Sequence, residues 1–335
     1  MVLRYSTASL KNRVKGRSID TPKKHCVSRS LAGVVALDEP QLLEFQRPPH
    51  LADYFVLSPF VVRSERGYEM LLRMVNPSDD AAEKVSRIYY ASSSDGIAFD
   101  VGPEVIAPGA SDDIDGAGCE DPTIVGTAGA YSVFYSGYNG VNNSTSMLRA
   151  SGESLTDLTK NGLVFQPDSV HRNTKEAAVV PTPNGFRMFF EYAQGGASLI
   201  GVADAARIEG PWTFGVSPLA PRPNDFDSWH LSPSSAIRCS DGTHILFYNG
   251  ASKEAAWRIG YAVLDQTGTM ALDRPAAPII EPFDLAGDDT NIAFAASAIV
   301  ENAKNAYVYY SVADRRPCRV NVSFEGELCS SNQFV

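Results

Sequence analysis

Residues 120–138 read EDPTIVGTAGAYSVFYSGY. Two adjacent acids, Glu120 and Asp121, precede a proline, an apolar run, a turn at Gly129 and a second run with paired aromatics. Runs of β-branched and aromatic residues on both sides of a glycine turn are the pattern of an antiparallel hairpin. The unit recurs along the chain. LSPFVVRSERGYEMLLRMV (57–75) turns at Gly67, EAAVVPTPNGFRMFFEYAQ (176–194) at Asn184-Gly185, SPSSAIRCSDGTHILFYNG (232–250) at Asp241-Gly242, and FAASAIVENAKNAYVYYSVAD (294–314) near Asn305. A third apolar piece follows most copies, as in RIYYASSSDG, SLIGVADAA, WRIGYAVLD and CRVNVSF. Successive turns lie roughly 55 to 65 residues apart, longer than the ~40-residue blade usual in propellers but attainable with long loops.

Five repeats of three or four strands, with no helix-period stretch between them, predict an all-β five-bladed β-propeller; two β-sandwich domains are the competing arrangement. The predicted boundaries are a partly irregular N-terminal arm over 1–45, basic and polar at its start, and a single propeller over 46–335. The 335 residues are 44% apolar, enough for a full core. A formal net charge of −10 argues against nucleic acid and anionic membrane as partners, since both need a basic field. Cys26, Cys119, Cys239, Cys318 and Cys329 are scattered and form no paired motif, so free thiols are expected rather than a disulfide framework or zinc site. No metal-ligand spacing, phosphate loop or dinucleotide fingerprint occurs, so no metal and no cofactor are expected. With no signal-type apolar segment and no run of about 18 apolar residues, a cytoplasmic location is expected. Oligomeric state leaves no signature.

In a propeller the first strand of every unit runs along the axis, so polar residues at the strand ends meet in one pocket. The units offer Ser58 and Arg73; then Glu120 and Asp121; then Lys175, Glu176, Glu191 and Tyr192; then Trp229, His230, Ser232 and Asn249; then Asn291 and Asp314. Carboxylates and amides suit hydroxyl groups and aromatics suit ring faces, so the expected partner is an oligosaccharide. Each residue also has a plain structural reading. The acid pair fits a solvated turn, Glu191 a strand end, Lys175 and Glu176 an exposed ion pair, His230 a structural hydrogen-bonding group, and Asp314 a turn cap.

The chain resembles glycoside hydrolase family 130, the five-bladed propeller family of mannoside phosphorylases and β-mannosidases. The likeness runs from about residue 55 to 323 and is carried by ASSSDGIAF, GCEDPTIV, KEAAVVPTPNGFRMFFE, DSWHLSPSSAIRCSDGTHILFYNGAS, WRIGYAVLD, DRPAAPIIEP and NIAFAASAIV with YVYYSVAD, in the family's order. The resemblance implies that Asp121 is the general acid of an inverting enzyme, acting through a sugar hydroxyl as relay. It also implies that Arg73 and Asp314 grip the sugar beside the cleaved bond, and that Lys175 matches a lysine of the third unit. Two positions depart from the family's phosphorylases. Thr123 stands where they have an arginine after Glu-Asp-Pro, and Glu191-Tyr192 where they have a His-Arg pair. Those cations hold inorganic phosphate, and a carboxylate in their place repels a dianion and suits the activation of water.

The expectation is therefore an inverting glycoside hydrolase cleaving a β-mannoside, with Asp121 as acid and Glu191, with Glu176 as a second candidate, as base. A mannoside phosphorylase and a non-catalytic sugar-binding propeller are the alternatives. Linkage and chain length are expected to depend on loops such as 138–146 and 283–291.

Overall fold

The computed structural model describes residues 33–80, 83–283 and 291–329. Cys26, most of the predicted arm and most of the 283–291 loop lie outside these residues.

Among the described residues the named elements are all strands apart from a 3-10 turn at Pro49–Leu51. It opens with three short strands, β1 (Val34–Leu37), β2 (Gln41–Leu42) and β3 (Glu44–Gln46). The strands that follow fall into five consecutive groups. The first is β4 (Phe55–Ser64), β5 (Gly67–Val75), β6 (Ser86–Ser93) and β7 (Ala98–Ile106). The second is β8 (Gly118–Thr127), β9 (Ala130–Asn139), β10 (Ser144–Ser154) and β11 (Asp157–Leu163). The third is β12 (Arg172–Thr182), β13 (Gly185–Gln194), β14 (Ala197–Ala205) and β15 (Thr213–Gly215). The fourth is β16 (His230–Arg238), β17 (His244–Ala251), β18 (Trp257–Leu264) and β19 (Ala271–Asp273). The fifth is β20 (Ala293–Asn302), β21 (Asn305–Val312) and β22 (Arg316–Phe324). Within each group every strand pairs antiparallel with the next. The first two groups share one sheet only through a parallel bridge between Ser86 and Gly118.

The fifth group has three strands of its own, and β1 supplies the fourth by pairing with β22 (Val34 with Phe324, Leu37 with Val322). Residues 34–45, assigned from the sequence to a partly irregular arm, thus contribute strands to the sheets, with β3 lying parallel against β7. The reason is edge pairing: an unpaired outer strand leaves a row of backbone groups open, and the N-terminal strand covers it.

The paired aromatics explain how the groups pack. Neighbouring residues in a strand point to opposite faces of the sheet. Phe134 packs toward the third group while Tyr135 packs toward the first. Phe190 and Phe189 divide in the same way, as do Phe247 and Tyr248, Tyr310 and Tyr309, and in the first group Leu71 and Leu72. Each second strand is therefore buried on both faces, and five apolar cores lie between five neighbouring pairs of sheets. The first strands touch in a closed cycle, β4 with β8, β8 with β12, β12 with β16, β16 with β20, and β20 with β4. They enclose a cavity of about 230 Å³ lined by residues from all five.

Candidate active site

Each first strand carries a β-bulge near its N-terminal end. The pairing register slips between Leu57 and Phe60, Glu120 and Thr123, Lys175 and Ala177, Pro233 and Ser235, and Ala295 and Ser297. A bulge inserts one residue, interrupts the ladder and re-aims a side chain. That is why a proline is tolerated at Pro59 and Pro122, where the ladder requires no N–H. Ser58, Asp121 and Glu176, inside the first three bulges, take left-handed backbone angles with φ of 47°, 49° and 49°. Asp314, in the turn after β21, does the same at 51°. A left-handed conformation costs a residue with a Cβ on the order of 1–2 kcal/mol, and such strain gathers at functional sites.

The strained residues share one cavity of about 170 Å³, at the end of the ring where the first strands begin. Ser58, Arg73, Asp121, Lys175, Glu176, Glu191 and Asp314 line it, and Trp257, Ile292 and Phe294 form an apolar wall. Asp121 is only 6% exposed. Ser58 Oγ donates to Asp121 Oδ1 at 2.7 Å, and Arg73 Nη1 lies 3.6 Å from the same oxygen. Arg73 also donates through Nη2 to Glu120 Oε1 at 2.6 Å and through Nε to Ser86 Oγ at 3.0 Å, and Ser86 donates to Glu120 Oε1 at 3.0 Å. Glu120 thus stands behind Arg73 and orients it. Across the cavity Lys175 Nζ lies 3.4 Å from Glu191 Oε1, and Glu191 is 3% exposed.

The electrostatics follow from this crowding. Loss of water pushes the Glu176 carboxyl well above its usual range; the charges of Asp121 and Glu191 add to the rise, and Lys175 opposes it. Lys175 is held protonated more firmly than a free lysine, chiefly by Glu191, against the opposing effect of burial. Burial would lower the Arg73 value, but Glu120 and Asp121 more than reverse it. Two cations face four carboxylates among the lining residues, so the cavity is acidic.

Ser58, Arg73, Asp121, Lys175, Glu176, Glu191 and Asp314, chosen from the sequence, come together here, with Glu120 in support. Trp229 and His230 do not line the cavity. His230 sits beside it, its ring 5.4 Å from that of Trp257, and its Nδ1 accepts from the Ser198 N–H at 3.0 Å. Burial lowers the His230 pKa and favours the neutral ring. Trp229 Nε1 donates to Gly196 O at 3.4 Å, and Lys253 lies 5.2 Å over its ring. Two assignments are corrected. Tyr192 follows Glu191 in the strand and so faces the other side of the sheet, against His171 at 4.9 Å and Phe190 at 6.3 Å. Asn249 is fully buried, and both ends of its amide are held by the Ala295 backbone, at 3.1 Å from Nδ2 and 2.7 Å to Oδ1. It staples the fourth sheet to the fifth and has no group to offer a sugar. Asn291 likewise binds Arg258 rather than the cavity. Thr123 directs Oγ1 to Ala177 O at 2.7 Å, joining β8 to β12.

Sequence reasoning missed Trp257, Ile292, Phe294 and Ser86. Trp257 opens the third strand of its unit, whereas the repeat marks polar residues only at the ends of the first two. Among the described residues no group of three or more His, Cys, Asp or Glu side chains is placed to hold a metal.

Sheets closed on one another thus bring strained carboxylates together at one end of the ring. The family model described as β-1,4-mannooligosaccharide phosphorylase, glycoside hydrolase family 130, matches residues 55–318, and the chain belongs to that family. It is 25% identical over 248 residues, covering 72% of this chain and 79% of the relative, to a 1,2-β-oligomannan phosphorylase of Thermoanaerobacter sp. strain X514. Its fold is similar to that of a β-1,2-mannobiose phosphorylase from Listeria innocua solved with β-1,2-mannobiose, with a TM-score of 0.69 and 18% identity over 83% of this chain and 92% of the other. It is also similar in fold to a structure described under the finding that this family of mannoside phosphorylases contains glycoside hydrolases that target β-1,2 mannosidic linkages in Candida mannan. That match has a TM-score of 0.66 and 22% identity over 80% and 84% of the two chains.

Proposed function

We propose that the chain is a five-bladed β-propeller enzyme that cleaves a β-mannoside with inversion, using Asp121 as the acid. Support for the propeller is the closed cycle of five first strands and the five cores between them. The observation that carries the chemistry is Asp121: buried, held in a left-handed bulge, fixed by Ser58 and facing Arg73. Asp121 gives its proton to the leaving oxygen, directly or through a sugar hydroxyl. Trp257 and Phe294 offer apolar surface to the sugar ring, and Lys175 and Asp314 offer polar partners to its hydroxyls.

Phosphorolysis is the reading that kinship favours. The relative from Thermoanaerobacter and the Listeria protein are both named as phosphorylases of β-1,2-linked mannosides, whereas hydrolysis was the expectation from the sequence. In this reading phosphate attacks the anomeric carbon from the face opposite the leaving oxygen and yields mannose 1-phosphate. One observation favours hydrolysis as a second reading. The cations of the cavity, Arg73 and Lys175, are already paired with Glu120 and Glu191, so a phosphate dianion would enter among carboxylates. Like charges about 4 Å apart in a partly desolvated site repel by roughly 4 kcal/mol. Glu191, or Glu176, would then activate water.

The deciding experiment is incubation with β-1,2-mannobiose and longer β-mannosides, with and without phosphate, followed by product analysis. Mannose 1-phosphate formed only with phosphate establishes phosphorolysis, and free mannose at a phosphate-independent rate establishes hydrolysis. No cleavage of any β-mannoside by the folded protein rejects the enzymatic proposal.

A further inference from the structure

A third concavity, of about 320 Å³, opens between the fifth and first sheets. It carries Arg47, Arg315 and Arg316, together with Tyr54, Phe55 and Leu42, and among the described residues no carboxylate lines it. It adjoins the candidate active site along the chain on two sides. Val56 in its wall precedes Leu57 of the cavity, and Arg315 follows Asp314 of the cavity. Arg47 Nη1 donates to Tyr54 O at 2.8 Å and fixes the loop that presents Phe55. Lys84 Nζ lies 5.4 Å over the Phe55 ring and adds a further positive charge.

The contrast with the cavity is one of sign. The chain has a net charge of −10 and the cavity is crowded with carboxylates, yet the groove beside it is cationic. Guanidinium groups bind carboxylate and phosphate through parallel hydrogen bonds, and aromatic faces accept the apolar side of a pyranose.

We propose that this groove receives the end of the substrate beyond the cleaved mannoside, and that this end carries an anionic group, either a uronate carboxylate or a phosphate ester. The proposal rests on the β-mannoside-cleaving reading and deepens it. The acidic cavity repels the charged end and the arginine groove attracts it, so the neutral mannosyl unit is the one delivered to Asp121.

The test compares kcat/KM for mannose β-linked to glucuronate with that for mannose β-linked to glucose. In parallel, free glucuronate, glucose 6-phosphate and glucose are titrated by NMR. Charge-assisted hydrogen bonds give an expected preference of about tenfold for the acid-bearing disaccharide at low salt, shrinking as salt is added. Arg316→Glu should abolish that preference, and Arg316→Gln should reduce it in a protein with an unchanged melting temperature. Binding of glucuronate alone or of glucose 6-phosphate alone tells carboxylate from phosphate ester. Equal kcat/KM for the two disaccharides, insensitive to Arg316→Glu, overturns the proposal, as does titration in which neither anion binds better than glucose. If neutral mannosides are cleaved in that case, the catalytic reading survives. Arg316-dependent anion binding without cleavage of any β-mannoside would keep the groove and remove the catalytic reading.

Discussion

The first three sheets and the last two are built from one repeat and have diverged in what the repeat delivers. In the first three, the bulge holds Ser58, Asp121 and Glu176, polar residues in left-handed conformation. In the last two, the equivalent bulges hold Ser234 and Ala296, neither of them left-handed. The partner strand shows the same split. Arg73 and Glu191 stand opposite the first and third bulges, while Tyr248 and Tyr310 stand opposite the fourth and fifth and are wholly buried. One arc of the ring supplies most of the charge, and the other supplies an apolar wall of Trp257, Ile292 and Phe294 with one carboxylate, Asp314. A sugar needs both, a face to rest on and polar groups on the opposite side, and a cyclic repeat meets the need by keeping the backbone and changing the residue in the bulge.

The largest expected effect tests the charged arc at its centre. Asp121→Asn keeps a partner for Ser58 but removes the proton donor, so turnover of β-mannosides with poor leaving groups should fall ~10²–10⁴-fold with the melting temperature retained. Near-normal rates in a folded variant would take the acid role away from Asp121. Glu191→Gln divides the two readings. Phosphate-independent cleavage should drop about 10²-fold or more, whereas phosphate-dependent cleavage should hold steady or rise because a repelling charge is gone. Initial rates with and without phosphate check it, and an equal loss in both would assign Glu191 to sugar binding instead.

Asn249→Ala tests the structural arc. It leaves the buried N–H and C=O of Ala295 without partners, so a loss of stability of about 2–3 kcal/mol is expected, with KM hardly changed. A large rise in KM at normal stability would restore Asn249 to the site. The smallest effect concerns strain within the charged arc. The folded-state pKa of Glu176 is raised, so the native chain binds its proton more tightly than the unfolded chain. The Glu176 contribution to stability is therefore greatest below the ordinary glutamate value of 4.5 and is lost as pH rises from there through the folded value. Glu176→Gln removes that penalty and should stabilise the protein by about 1 kcal/mol at neutral pH, the gain vanishing in acid, while activity falls. Melting temperatures of both proteins across pH measure the difference, and a constant gap would mean that Glu176 does not titrate as its surroundings imply.

The hairpins, their turns and their fivefold recurrence were legible in the sequence because period-two patterning and turn residues act locally. Gly185 begins β13 with φ of 134°, and a Cβ there would lie 2.2 Å from Ala205 O, so the Asn-Gly turn was a dependable marker. Asp121, Arg73 and Lys175 were found because repeats place equivalent residues at equivalent ends. Tyr192 and Asn249 were misjudged for a reason local patterning cannot supply. Which face of a twisted, bulged strand looks into the cavity depends on the register slip one or two residues away, and a fully buried amide is told from a sugar ligand only by the neighbouring sheet that binds it. The closing of the fifth sheet by β1 was hidden likewise, since Val34 and Phe324 lie at opposite ends of the chain. Sequence alone determined which residue types each repeat offers. The tertiary structure decided which of them meet, because a single extra residue in four of the five first strands turns a side chain from the ladder into the shared cavity.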